Sequence, residues 1–146
     1  MGEFQMYDLE RLNKIIKDIE GFFKDLEKIG LDEDNIQNIE KLHASAMIIF
    51  GIMNRTINLA EEIIVKNKLS MPNQYSESFS ILAKEGLVDK KLSNEIEKII
   101  EKRGMFAHHY YDLEKKSVLK LSKEIYKIKD FILRVKKIAG IKNGKQ

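Results

Sequence analysis

Apolar residues recur at steps of three and four along most of the chain, the period of an amphipathic helix rather than the alternation of a strand. With one proline and almost no strand-type alternation, helix is predicted nearly throughout. The first helix should run from about Met6 to Ile29 and stop at Gly30, a typical C-terminal signal. Asp32-Glu33-Asp34 then offers an N-cap and negative charge for the dipole of the next helix. That second helix, from about Asn35 to Asn67, carries Ile36, Ile39, His43, Ala46, Phe50, Met53, Ile57, Ala60 and Ile64 on one stripe, facing a core or a partner helix. His43 within it reads as a satisfied, partly buried histidine. Gly51 allows a close helix contact or a mild bend. Ser70-Met71-Pro72-Asn73 breaks the pattern, and a short helix from about Ser76 to Glu85 ends at Gly86. Asp89 caps the next helix, which turns Leu92, Ile96 and Ile99 inward and leads directly into Arg103. A last helix spans about Glu114 to Ala139, with Val118, Leu121, Ile125, Ile128, Ile132 and Val135 in unbroken register, and ends at Gly140. Four long amphipathic helices and one short extra helix predict an all-α, antiparallel four-helix bundle.

Length and composition narrow the class. The 146 residues fit a single domain, 1–146, with 1–5 expected to be an added leader or disordered and 140–146 a frayed tail. Apolar residues at 43% and charged residues at 34% suit a folded helical protein and exclude a disordered one. The absence of cysteine removes disulfides and thiolate metal sites and fits a reducing cytoplasm. No apolar run approaches the roughly 20 residues of a membrane span, and the acids near the N-terminus do not suit a signal peptide. The net charge of +3 is uneven: residues 114–146 hold 11 Lys/Arg against 3 Asp/Glu. Such a basic third either attracts a polyanion or forms a solvated lysine face.

The candidate chemistry lies in Arg103-Gly104-Met105-Phe106-Ala107-His108-His109-Tyr110-Tyr111. RNA cleavage without a metal requires a base for the 2′-hydroxyl, a cation for the charged phosphorane and an acid for the leaving oxygen. Histidine titrates near neutrality, and the arginine fork holds two phosphate oxygens at once, so His108 and Arg103 are suitable types. Five residues apart, they diverge by about 140° on a straight helix. They converge only if the helix is distorted, for which Gly104 is a candidate, or if a second subunit contributes. An isologous homodimer with the site at its seam is the economical arrangement. A half-buried packing cluster with satisfied polar tips uses the same residue types.

The order Arg103, four residues, His108, one residue, Tyr110 resembles the signature of HepT, the toxin of HepT–MntA toxin–antitoxin systems in the HEPN superfamily. The stretch from about Tyr75 through Leu87 to Tyr111, the long helix before it and the basic helix after it are similar to that family's order of elements. The resemblance implies a bundle of HEPN type and a metal-independent endoribonuclease with Arg103 and His108 as its catalytic pair. It implies an RNA substrate, no cofactor, and a nucleotidyltransferase antitoxin, MntA-like, that transfers AMP to Tyr110. An adenylyl group there would set a phosphate anion where RNA binds and fill the cleft. The chain departs from the family at Gly104, where a polar residue, often Asn, is usual. Either cleavage is weakened, or the helix is reshaped and His109 or Tyr111 substitutes. The alternative function is a non-catalytic HEPN dimer that regulates a small nucleotidyltransferase or holds a nucleotide.

Overall fold

The computed structural model describes residues 7–108 and 112–142. Helix α1, Leu9–Ile29, begins where the Asp8 carboxylate accepts the Arg11 N–H. It ends at Gly30, whose left-handed conformation (φ 60°) lets its N–H donate to the Leu26 carbonyl. Asp32 does not cap the following helix. Its Oδ1 accepts the N–H groups of Asp34 and Asn35, closing a turn, while the Asn35 amide donates back to the Gly30 carbonyl. Asn38 is the true cap, accepting the Lys41 N–H, so α2 spans Ile39–Lys66 and Ile36 lies in the loop before it.

Helix α3, Glu77–Lys84, and α4, Lys90–Ile100, follow, the latter capped by Asp89 as the pattern predicts. The Ser80 hydroxyl donates to the Glu97 carboxylate across these two helices. Burial, then the negative charge of Glu101, holds that carboxyl above the usual range. A six-residue helix, α5, covers Arg103–His108. The last predicted helix is divided into α6, Lys115–Glu124, and α7, Ile128–Ala139, by a 3₁₀ turn at Ile125–Lys127. Its apolar register survives the interruption, since Val118, Leu121, Ile125, Ile128, Ile132 and Val135 are all buried.

Among the described residues all regular structure is helical, and the fold is an antiparallel bundle centred on α2, which touches α1, α3, α4, α5 and α6. Leu12, Ile15, Ile16, Ile19 and Phe23 of α1 pack on Ile49, Ile52 and Met53 of α2 within one core. A Cβ at Gly51 would stand 2.7 Å from the Phe22 ring, so this glycine permits the close approach of α1 and α2. Phe79 of α3 meets Phe131 of α7 edge-on, centroids 5.3 Å apart, joining the short helix to the bundle.

Four lysines of the basic C-terminal third meet acids of the body: Lys123 with Glu33, Lys127 with Glu95, Lys129 with Glu27 and Lys136 with Glu20. Surface pairs of this kind stabilise little individually, but together they partly offset the charge asymmetry of the chain. No helix among the described residues is long and apolar enough to cross a membrane.

Candidate functional site

Helix α4 ends in a tight turn at Glu101 and Lys102, marked by Lys102 N–H donating to Ile99 and Met105 N–H donating to Lys102. The helical path therefore breaks just before Arg103 and not at Gly104. Gly104 is an ordinary helical residue, and a Cβ there would meet nothing closer than His108 Cδ2 at 4.0 Å. Arg103 and His108 thus sit on one short helix, so the distortion expected to turn them together is absent from α5. No hydrogen bond or ion pair links them. His108 is exposed. His109, Tyr110 and Tyr111 lie outside the described residues.

What surrounds Arg103 comes from elsewhere in the chain. Its Nε donates to Asn54 Oδ1 at 2.5 Å. Its guanidinium carbon lies 4.8 Å from the ring centroid of Tyr75 and 5.3 Å from that of Phe50, both within cation–π range. Phe50 and Asn54 are four apart on α2 and so share a face, while Tyr75 comes from the loop ahead of α3. One hydrogen bond and two rings fix the plane of the guanidinium. Its two terminal nitrogens carry no hydrogen bond or ion pair among the described residues.

Neither Asn54 nor Tyr75 emerges from the sequence as a site residue. The available signal was a polar amide four positions from Phe50, on the same face of α2. Phe50 itself belongs to the predicted core stripe, yet it is only half-buried, because it walls this site.

Beside Arg103 lies an open apolar groove of about 620 Å³ lined by His43, Ala46, Met47, Phe50, Phe106, Ala107 and Leu113. His43 is exposed on this groove and is not a core histidine. The predicted stripe of α2 therefore divides: its C-terminal half is core, whereas Ile39 at 61% and neighbouring Met47 at 75% exposure face outward. Among the described residues no group of His, Asp and Glu is arranged to hold a metal ion.

Residues 12–138 match the family model for HepT-like ribonucleases. The chain belongs to the HepT-like ribonuclease family. Its HepT-like fold is shared with solved structures. One is a toxin–antitoxin complex with AMP-PNP (TM-score 0.79, 19% identity, 86% of this chain and 97% of that one). Another is YutE, a cytosolic protein of unknown function from Bacillus subtilis (TM-score 0.80, 19% identity, 97% and 96% covered). A third is a tri-AMPylated Shewanella oneidensis HEPN toxin in complex with MNT antitoxin (TM-score 0.78, 20% identity, 86% and 96% covered). At these identities the likeness establishes the fold. No curated protein matches the chain.

Proposed function

We propose that this HepT-like chain is the toxin of a toxin–antitoxin system, an endoribonuclease acting in the cytoplasm without a metal. The observation that carries the reading is Arg103, its plane set by Asn54, Tyr75 and Phe50 and its terminal nitrogens without a partner among the described residues. That is the state of a cation awaiting a phosphate. In the reaction, a histidine removes the proton from a 2′-hydroxyl. The oxygen attacks phosphorus, Arg103 stabilises the extra negative charge, and an acid protonates the departing 5′-oxygen. The products are a 2′,3′-cyclic phosphate and a 5′-hydroxyl. His108 supplies one proton-transfer group. A homodimer supplies the second, with the apolar groove beside Arg103 covered by the other copy. The likeness to a toxin that carries AMP in complex with its antitoxin supports control by an MntA-like nucleotidyltransferase, with Tyr110 as the AMP acceptor.

Purified protein incubated with tRNA and mRNA in EDTA should yield fragments ending in 2′,3′-cyclic phosphate, and Arg103→Ala and His108→Ala should each abolish them. Cleavage that persists in both variants sinks the assignment of the pair. Co-expression with the antitoxin should add whole AMP units to the intact mass, lost in Tyr110→Phe. The second reading, a non-catalytic dimer that regulates a nucleotidyltransferase or holds a nucleotide, is favoured by Gly104, which brings no polar side chain to α5. AMP addition without any RNA cleavage would select it.

A further inference from the structure

Clamping Arg103 does not account for the whole of Tyr75. The residue follows the Pro72-Asn73 turn in a loop pinned to the start of α3. There Glu77 Oε1 accepts the Asn73 N–H at 2.8 Å, and the Tyr75 carbonyl accepts the Ser78 N–H at 3.3 Å. The loop backbone is thus anchored, and the Tyr75 ring lies over the guanidinium, 4.8 Å from ring centroid to Cζ. Yet 51% of the residue remains exposed, in a chain that buries Phe23, Phe79 and Phe131 almost completely. A large ring, packed on one side against a cation and half exposed overall, has the form of a stacking surface.

We infer that Tyr75 is a nucleobase platform, stacking the base of an RNA nucleotide whose phosphate Arg103 holds. The inference rests on the RNA-binding reading of Arg103 above. A phosphate on the terminal nitrogens of Arg103 belongs to a nucleotide, and the Tyr75 ring is, among the described residues, the aromatic ring nearest that guanidinium, with its residue more than half exposed. Stacking on an aromatic face is tolerant of sequence, because every base has a π-face. It also selects unpaired RNA, since bases within a duplex offer only their edges. The chemical class of ligand is thus single-stranded RNA.

The test uses a fluorescent 2′-O-methyl oligoribonucleotide, which lacks the nucleophilic hydroxyl and is not cut. Its binding is followed by anisotropy across a range of salt concentrations. Tyr75→Ala should weaken binding about tenfold and Tyr75→Phe less than about twofold. The slope of log affinity against log salt should stay unchanged in Tyr75→Ala, since no phosphate contact is lost. Arg103→Ala should lower that slope by about 0.7. Unchanged affinity in Tyr75→Ala overturns the platform. So does a slope that falls as in Arg103→Ala, because Tyr75 would then act only by orienting the arginine. A 2′-O-methyl duplex that binds as tightly, and loses as much in Tyr75→Ala, overturns the stacking role as well. If Arg103→Ala binds like the wild type, the RNA-binding reading itself fails, whatever Tyr75→Ala does.

Discussion

A guanidinium oriented before its phosphate arrives spares the reaction the entropy of fixing a long side chain. At Arg103 that orientation depends on residues 28 to 53 positions away in sequence: Asn54 at Nε, Tyr75 and Phe50 at the faces. Asn54→Ala removes the acceptor and frees rotation about the last bonds of Arg103. Cleavage of a short oligoribonucleotide should then fall by about tenfold to a hundredfold in kcat, with a smaller change in KM. Single-turnover kinetics would show it, and an unaltered rate would remove Asn54 from its positioning role. Arg103 and His108 could be proposed from the sequence because their types suit the chemistry and their order resembles a family signature. Asn54 could not, because an amide on a helix acquires this role only when another helix delivers an arginine to it.

The elements show a similar division. Gly30, Gly86 and Gly140 end their helices or turns with φ of 60°, 74° and 74°, conformations that glycine adopts without strain, so these boundaries were legible. The start of α2 was not. Asp32 and Asn38 are both good caps, and only the turn closed by Asp32 and Asn35 decides that the helix waits for Asn38. The 3₁₀ turn at Ile125–Lys127 also escaped the pattern, because its apolar residues stay in register through it. Gly51 behaves as a contact residue on α2. Gly51→Leu must displace the Phe22 ring and separate α1 from α2. It should cost roughly 1–3 kcal/mol despite leucine's better helix propensity, read as a lower urea midpoint. An unchanged midpoint would mean that Phe22 swings aside freely.

For the whole molecule, the exposed side of α2 is the informative surface. His43 and Met47 join Phe106 and Leu113 in an apolar groove next to Arg103, an arrangement expected of a face covered by a second copy. Met47 is 75% exposed in the single chain, so Met47→Asp should leave the monomer folded while preventing pairing. Light scattering at micromolar concentration should report a dimer for the wild type and a monomer for this variant, with RNA cleavage lost alongside. A wild-type monomer that still cleaves RNA would end the composite-site proposal. By itself, the sequence determined the helical class, the register of the last helix and most helix ends, because these follow from local periodicity and capping chemistry, whereas the Arg103–His108 pair was proposed from residue type together with a family resemblance. Only the tertiary structure decided that Ile39 and His43 of the α2 stripe face outward and that Lys123, Lys129 and Lys136 meet acids on the body. It also decided that the helix breaks ahead of Arg103, leaving that arginine to be held by α2 and the loop before α3. Each of these depends on which distant surfaces the packed helices bring together, and no local pattern encodes that.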